Sequence, residues 1–226
     1  MTILRKINSK SFLIYRLIIY VFIFFFIFSI DSCSMNTSME QKQPEFEYNN
    51  SLQFITALES CIKWQEKDRT KWQLVPHEII IAQAIIESDY GTSRFAIEGN
   101  NLFGIRTYDL NMPHIKPYNN EESKFGLKVY NTMCDSVDDY LKVLNNSFAF
   151  EDFRELRYKM IKQGNINVFK LVDTLHRYAS NPNYTTLIKE KIKSLKEEIY
   201  GKKELDELNE SYNQSLQNKK ERDEKK

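Results

Sequence analysis

Hydrophobic positions along most of this chain recur at helical spacing. Beyond the first 33 residues, a nearly continuous apolar stretch extends from Ile79 to Ile86, and Gln83 is its one polar position. A helix that is apolar on nearly every face belongs inside a core, so we predict a central buried helix here. Pro76 suits its first turn, because the missing N–H would have no helical partner there. Glu87 follows the apolar stretch directly, just before a break at Asp89-Tyr90-Gly91.

Amphipathic stretches on both sides of this segment predict further helices. One is expected from about Ser51 to Lys67, and a short one from Thr92 to Glu98. From Thr132 onward the chain is predicted to be helical, with apolar stripes over residues 137–144, 153–161, 168–175 and 187–199. We expect Asp135-Ser136 to cap the first of these helices and Gly164 to end the second.

The region from Ile105 to Tyr130 is the part of the sequence that favours strands. Residues Lys124 to Tyr130 alternate between polar and apolar positions, and prolines with the Asn119-Asn120 pair interrupt the region before them. Helices on both sides of a small strand region predict an α+β fold that is mostly α.

The first 33 residues are expected to be an export signal. Four basic residues precede an unbroken apolar run from Leu17 to Phe28, which is shorter than the roughly 20 residues that span a bilayer comfortably. Ile30-Asp31-Ser32-Cys33 resembles the lipobox of bacterial lipoproteins, with Asp31 as an unusual member. Lipidation of Cys33, ordinary cleavage and a retained membrane anchor are the three alternatives. All three place the remaining chain outside the cytoplasm, in the cell envelope. We expect it to be tethered to the membrane, as a periplasmic lipoprotein or as a protein anchored in the inner membrane.

Charge and cysteine content narrow the choice of partners. Without residues 1–33, which hold four basic residues and one acidic residue, the chain has 28 basic and 30 acidic side chains out of totals of 32 and 31. A nearly neutral balance excludes the basic footprint of a nucleic-acid-binding protein. Cys61 and Cys134 are either a disulfide pair in an oxidising compartment or two buried thiols.

Polarity divides the exported part of the chain into three regions. Residues 34–50 are polar and are interpreted as a linker. Residues 51–200 contain the periodic apolar positions and are expected to form the folded domain. Residues 201–226 are strongly charged and are predicted to be disordered, because such a segment buries too little apolar surface to order itself.

Glu87 is the candidate for chemistry that the residues themselves indicate. A carboxylate at the edge of an apolar core loses solvation, which raises its pKa. A raised pKa is what a general acid that works near neutral pH requires. The structural alternative is that Glu87 caps the following loop or pairs with Arg94.

Three motifs resemble the glucosaminidase domains of bacterial peptidoglycan hydrolases. They are Ala82-Gln83-Ala84 through Glu87-Ser88, Tyr90-Gly91-Thr92-Ser93, and Asn100-Asn101-Leu102-Phe103-Gly104-Ile105. The step Ser93-Arg94-Phe95-Ala96 looks closest to the Bax-type branch. The resemblance covers about Ser51 to Tyr200. It implies a lysozyme-like helical lobe with a small β-hairpin lobe.

The resemblance implies an enzyme that cleaves peptidoglycan glycan strands on the reducing side of N-acetylglucosamine, as an endo-β-N-acetylglucosaminidase. Glu87 corresponds to the proton donor, and no metal or organic cofactor is implied. Some members carry a second acidic residue on the hairpin, for which Glu121 and Glu122 are the nearest candidates here. The alternative is attack by the 2-acetamido oxygen of the substrate, supported by Asp89 or Glu122.

The family also suggests residues that contact substrate. Tyr178-Ala179-Ser180-Asn181-Pro182-Asn183-Tyr184 resembles a late element whose first tyrosine faces the catalytic acid and binds sugar, a role that passes to Tyr178. Tyr184 is the second candidate, although its equivalent more often packs under the last helix. Tyr90, Asn101 and Phe103 are expected to line the groove, and the alternative for Asn101 and Phe103 is a structural role in its floor without contact to sugar. A muramidase or lytic transglycosylase, or a non-catalytic wall-binding module, stays open as an alternative function.

Overall fold

The computed structural model describes residues 42–118 and 122–198, together with residues 211, 213–215, 217–220 and 222 of the C-terminal tail. The chain divides into two compact units, Met1–Lys42 and Gln43–Lys226. All helices and strands named below belong to the second unit. The predicted export signal and Cys33 lie outside the described residues, so those predictions stay predictions.

Helices form most of the described chain, with three short strands between the third and fourth helices. The helices are α1 (Ser51–Glu66), α2 (His77–Ser88), α3 (Arg94–Gly99), α4 (Met133–Asn146), α5 (Glu151–Gln163), α6 (Val168–Asp173) and α7 (Tyr184–Glu198). The strands are β1 (Arg106–Thr107), β2 (His114–Ile115) and β3 (Gly126–Lys128), and short 3-10 turns lie at Lys71–Gln73 and Phe148–Phe150. The predicted α+β, mostly α fold class is confirmed. Within the described ranges, no helix is both long and apolar enough to cross a membrane.

Helix α2 forms the centre of the core, as its apolar pattern predicts. Every residue from Ile79 to Ile85 is at most 3% exposed, including the polar Gln83. Burial of each large aliphatic side chain contributes about 1.5–3 kcal/mol, so this helix is a large part of the stability of the domain. It packs against α1, α6 and α7. These contacts fix the position of its last turn, which carries Glu87.

The strand region forms an antiparallel sheet of order β1-β3-β2. Leu127 in the central strand lies opposite Arg106 on one side and Ile115 on the other. The expected hairpin is therefore extended by a third strand. Asn101 joins this sheet to the helical lobe, because its side-chain amide donates to the backbone oxygens of Ile105 and Lys128, each at 2.9 Å.

The helix ends follow the expected chemistry with one correction. Gly164 ends α5 in the left-handed conformation at φ +68°, as predicted. The N-cap of α4 is Thr132 rather than Asp135-Ser136. The Thr132 hydroxyl accepts from the Asp135 backbone N–H at 3.1 Å, and the Asp135 carboxylate accepts from the Thr132 N–H at 3.0 Å. This reciprocal pair is a capping box, which places Asp135 inside the first turn.

The segment just before α1 packs onto the domain, although its sequence suggested a linker. Phe46 and Tyr48 are partly buried and meet Phe54 of α1 in edge-to-face contacts at 5.6 and 5.2 Å. Aromatic pairs of this kind contribute beyond their buried area. In the tail, the described residues are helical, and the Lys219 ammonium donates to the backbone oxygens of Glu66 and Arg69. The expected disorder of the tail stays a prediction.

A disulfide joins Cys61 of α1 to Cys134 of α4, with 5.2 Å between the two Cα atoms. Sequence reasoning left this pair open, because nothing in the sequence places the two residues within bridging distance. Helices α1 and α4 pack against each other, and this packing brings the two cysteines together. The bond closes a long loop that contains both α2 and the sheet.

Candidate active site

Glu87 lies in the last turn of α2, where the helix leaves the core. Its side chain is half-buried, and Oε1 accepts a hydrogen bond of 2.7 Å from Tyr184 Oη. Burial raises the pKa of Glu87, while the Tyr184 hydrogen bond and the charge of Arg106 act in the opposite direction. Arg94, the alternative partner, pairs instead with Glu98 at 3.0 Å. A carboxyl group with a raised pKa and an open side can deliver a proton to a bound substrate.

A left-handed turn carries the chain away from Glu87. Asp89, Tyr90 and Gly91 have φ values of +50°, +55° and +78° in succession. Such backbone is costly for residues with side chains and persists only where its surroundings hold it. The Ser88 hydroxyl holds it from inside by accepting from the Gly91 N–H at 2.9 Å, and Tyr48 Oη donates to the Gly91 oxygen at 2.8 Å. The helix therefore ends abruptly at the residue that follows Glu87.

The loop from Asn100 to Gly104 lies beside the Glu87 carboxylate. Gly104 has φ +63°, and a Cβ atom built there would lie 3.3 Å from Glu87 Oε2. Asn101 shapes this loop, since its Oδ1 accepts from the backbone N–H groups of Phe103 and Ile105. Glycine thus leaves open the space beside one oxygen of the carboxylate.

Asn101 and Phe103 support this loop from behind and do not face a groove. Both are 1% exposed. The polar atoms of Asn101 are all engaged by the backbone, and the Phe103 ring stacks on Tyr140 at 4.1 Å between centroids. The expectation that these two side chains bind sugar is thus corrected, because burial leaves them no surface to offer.

The two tyrosines of the late motif divide their roles differently from the expectation. Tyr184 is 3% exposed and its hydroxyl bonds to Glu87, so it contacts the acid rather than the sugar. Tyr178 donates to the backbone oxygen of Phe103 at 2.9 Å, and its ring lies parallel to that of Tyr184 at 5.6 Å. Tyr178, which was expected to face the acid and bind sugar, thus lies within reach of the Glu87 charge, and its hydroxyl supports the loop beside Glu87.

Two buried residues that the sequence analysis did not select complete the surroundings of the acid. Gln83 Nε2 donates to Tyr184 Oη at 2.9 Å, and Tyr140 Oη donates to Gln83 Oε1 at 2.6 Å. Both Gln83 and Tyr140 are 0% exposed. The signal for Gln83 was its position as the one polar residue in the apolar stretch. Tyr140 gave no signal, since it lies on the apolar stripe of α4.

The family comparison agrees with this geometry. A model of the glucosaminidase family, described as mannosyl-glycoprotein endo-beta-N-acetylglucosaminidase, matches residues 63–197. The matched region is more than half of the chain and contains Glu87, the Gly104 loop and both tyrosines of the late motif. The chain belongs to this family. Its folded unit is therefore a glucosaminidase domain of the glycoside hydrolase class.

The chain is also similar to two individual proteins. The chain is 30% identical over 149 residues to the exo-glucosaminidase LytG of Bacillus subtilis (strain 168), a match that covers 62% of this chain and 49% of LytG. It therefore spans about half the length of this relative. The catalytic domain of the autolysin Auto from Listeria monocytogenes is similar over 66% of this chain and 86% of that domain, with 21% identity and a TM-score of 0.46.

The remaining predicted residues of the glucosaminidase domain differ in exposure. Tyr90 is half-buried, meets Phe54 edge-on at 6.0 Å, and has the Lys191 ammonium 5.6 Å from its ring centre. Glu122 is exposed on the loop that leads into β3. Glu121 lies outside the described residues. Arg106 of β1 was not predicted, although it directly follows the Asn100 to Ile105 motif, and its charge acts on Glu87.

Metal chemistry has no supporting cluster in the part of the chain that the structure describes. No group of three or more His, Cys, Asp or Glu side chains there could hold an ion. His77, the histidine nearest the start of α2, instead forms an ion pair with Glu66 at 2.9 Å.

Proposed function

We propose that this chain is a peptidoglycan hydrolase that cleaves the β-1,4 bond on the reducing side of N-acetylglucosamine, with Glu87 as the general acid. The observation that carries the proposal is the carboxyl group of Glu87, half-buried at the end of a core helix and held on one oxygen by Tyr184. Family membership supplies the reaction class. The name of LytG, an exo-glucosaminidase, supports cleavage next to N-acetylglucosamine.

In the proposed reaction Glu87 gives its proton to the oxygen that bridges the two sugars. The bond from the anomeric carbon to this oxygen breaks, and the electron pair leaves with the oxygen as the hydroxyl group of the departing sugar. The oxygen of a water molecule ends on the anomeric carbon as a hydroxyl group, and the proton that this water loses restores the acid form of Glu87, so that the overall change is hydrolysis. Glu122 is the candidate for a second acidic group, because it lies on the loop before β3.

Digestion of purified peptidoglycan by the full chain tests this proposal. The products are reduced and analysed by mass spectrometry, with Glu87→Gln and Glu122→Gln assayed beside the wild type. Fragments with reduced N-acetylglucosamine at their ends, absent with Glu87→Gln, are the expected result. Reduced muramic acid ends would indicate a muramidase, and 1,6-anhydro ends a lytic transglycosylase. Intact glycan in the presence of folded, sacculus-bound wild type would favour a binding module.

Two further measurements in the same assay test the role of Glu122 and the position of cleavage along the strand. Activity of Glu122→Gln near the wild-type level would remove this residue from the chemistry and leave attack assisted by the 2-acetamido group as the better account. The size distribution of the products separates cleavage within strands from removal of terminal sugars. The proposal expects internal cleavage, which yields long fragments early in the digestion.

The proposal includes a place in the cell envelope, with the domain tethered to the membrane through its N-terminal segment. The supporting observations are the apolar run before Cys33 and the disulfide between Cys61 and Cys134, a bond typical of oxidising compartments. Metabolic labelling with a palmitate analogue tests the lipid anchor at Cys33. Label in the wild type and none in Cys33→Ser is the expected result. An unlabelled wild type that fractionates with membranes would indicate a retained anchor.

A further inference from the structure

A chain of hydrogen bonds extends from the core to the catalytic carboxyl group. Tyr140 Oη donates to Gln83 Oε1 at 2.6 Å, Gln83 Nε2 donates to Tyr184 Oη at 2.9 Å, and Tyr184 Oη donates to Glu87 Oε1 at 2.7 Å. Helices α2, α4 and α7 each contribute to it. Gln83 and Tyr140 are completely buried, so water does not compete for these bonds.

The direction of these bonds is determined by the residue at the buried end. The amide of Gln83 could in principle be turned so that its nitrogen faces Tyr140 and its oxygen faces Tyr184. In that orientation the hydroxyl proton of Tyr140 would have no acceptor among the described residues. A buried donor without an acceptor carries its full desolvation penalty, which selects the orientation in which Tyr140 donates to Gln83 Oε1.

The orientation of Gln83 also determines the direction of the hydrogen bond that Tyr184 forms with Glu87. Its hydroxyl group has one proton, and the Gln83 N–H already points at its oxygen. The proton of Tyr184 is therefore directed to Glu87 Oε1, whether Glu87 is ionised or protonated. Burial raises the pKa of Tyr184 and that of Tyr140, and the charge of Glu87 raises both further. Both phenols accordingly keep their protons while Glu87 titrates.

We infer that Gln83 and Tyr140 are positioning residues that act through Tyr184 to hold the acid proton of Glu87 on Oε2. Oε1 accepts from Tyr184 and cannot also carry a proton toward it. Oε2 is the oxygen beside Gly104, where the absence of a Cβ atom leaves space. The inference rests on the proposed function, and it specifies that the bridging oxygen of the glycan must approach Glu87 from the Gly104 side.

This arrangement also prepares Glu87 for the state that follows proton transfer. After Oε2 has lost its proton, the carboxylate already has a hydrogen bond from Tyr184 on its other oxygen, so no group has to move to stabilise the new charge. Among the described residues, the titratable groups that interact electrostatically with Glu87 are Arg106 from β1, Tyr184 from α7, Tyr140 from α4 and Tyr178, which precedes α7. Of these, only Arg106 is charged.

Titration of Glu87 in the full chain tests the inference without relying on activity. The side-chain carboxyl carbons of glutamate are labelled with ¹³C and followed by NMR over a range of pH, and Glu87→Gln identifies the signal of interest. Tyr184→Phe should raise the pKa of Glu87 by about one unit or more, because it removes a hydrogen bond that favours the carboxylate. Tyr130→Phe is the matched control, since the Tyr130 hydroxyl bonds to Asp139 and takes no part in the hydrogen bonds that lead to Glu87.

Tyr140→Phe is the decisive variant, because its ring can stay in place and its hydroxyl does not touch Glu87. Without that hydroxyl the Gln83 amide is free to turn, and the reversed chain lets Glu87 donate from Oε1 to Tyr184. The pKa of Glu87 should rise, and kcat on peptidoglycan should fall about tenfold, the equivalent of one hydrogen-bond preference, with KM little changed. In a protein that already carries Gln83→Met, Tyr140→Phe should cause no further change in the pKa of Glu87 or in kcat.

The outcomes separate this inference from the proposed function. Unchanged titration of Glu87 in both Tyr140→Phe and Tyr184→Phe, with the variants folded by circular dichroism, would overturn the inference even if the wild type is active. The shifts expected above in a protein that leaves glycan intact would support the proton assignment and contradict the proposed function. A shift in Tyr130→Phe equal to that in Tyr140→Phe would also overturn the inference, since the effect would then be non-specific.

Discussion

Tyr178 donates its hydroxyl proton to the backbone oxygen of Phe103 at 2.9 Å, while its ring lies parallel to the ring of Tyr184. One side chain thereby connects the loop beside Glu87 with the residue that holds Glu87. Removal of the hydroxyl should loosen the loop but leave the stacked rings in place.

Tyr178→Phe should therefore lower the free energy of unfolding by about 1 kcal/mol, the net value of one hydrogen bond. We expect a moderate loss of kcat, smaller than that of Glu87→Gln. Urea denaturation and the digestion assay provide the two measurements. Tyr158→Phe, at an exposed tyrosine of α5, is the control and should change neither. Complete loss of activity at unchanged stability would instead indicate that the Tyr178 hydroxyl touches substrate.

Gly104→Ala should reduce both stability and activity. A side chain at φ +63° costs about 1 kcal/mol, and the added methyl group would crowd Glu87 Oε2 at 3.3 Å. Gly164 offers a matched control, because its φ is +68° and no atom lies within 4 Å of the Cβ position. Gly164→Ala should cost a similar amount of stability with full activity. Equal activity of the two variants would show that the space beside Oε2 is not used.

The fold could be predicted largely because its signals are local. The apolar stretch from Ile79 to Ile86 indicated the core helix, and Gly164 indicated the end of α5. The strands are only two or three residues long, so alternation could not resolve their number or their pairing. The capping box of α4 was missed because Asp135 and Thr132 are both good cap residues, and the reciprocal bond between them is visible only in three dimensions.

The sequence predicted the part of the candidate site whose residues lie close together along the chain. Glu87 and the Gly104 loop follow each other closely, so the sequence placed them together. The partners of Glu87 come from α4 and α7, which are distant in sequence, and tyrosine side chains there give the same apolar signal as core residues. This is why Tyr140 was overlooked and why Tyr178, rather than Tyr184, was expected to face Glu87.

The disulfide should make a large contribution to stability. Cys61 and Cys134 are 73 residues apart, and closing a loop of this size in the unfolded chain is worth about 4 kcal/mol in the chain-entropy model. The double variant Cys61→Ser/Cys134→Ser should unfold at a correspondingly lower urea concentration. Reductant should shift the wild type to the same midpoint and leave the variant unchanged. A wild-type unfolding midpoint that reductant does not change and that equals the midpoint of the double variant would contradict the prediction.

The buried pair of His77 and Glu66 should make stability depend on pH around neutrality. Burial opposes protonation of His77, but the hydrogen bond and charge of Glu66, with Glu59 and Glu78 nearby, outweigh it and raise the pKa. The stabilisation is complete below the unfolded-state pKa of about 6.5 and is lost as pH rises through the higher folded-state pKa. Melting temperatures of wild type and His77→Gln should converge above that range. A constant difference from pH 5 to pH 9 would count against a protonated His77.

Glu87 should carry a stability cost at the pH where its carboxylate forms. Burial raises its pKa in the folded state, so folding favours the protonated acid. That contribution is complete below the unfolded-state pKa of about 4.3 and disappears as pH rises through the folded-state pKa. Above this range the fold must hold a partly desolvated charge, which Glu87→Gln removes while Oε1 can still accept from Tyr184. The variant should therefore melt at a higher temperature than the wild type at pH 8, and the difference should vanish near pH 4. Equal melting temperatures of wild type and Glu87→Gln at both pH values would mean that the ionised carboxylate has no desolvation cost and that its pKa is not raised.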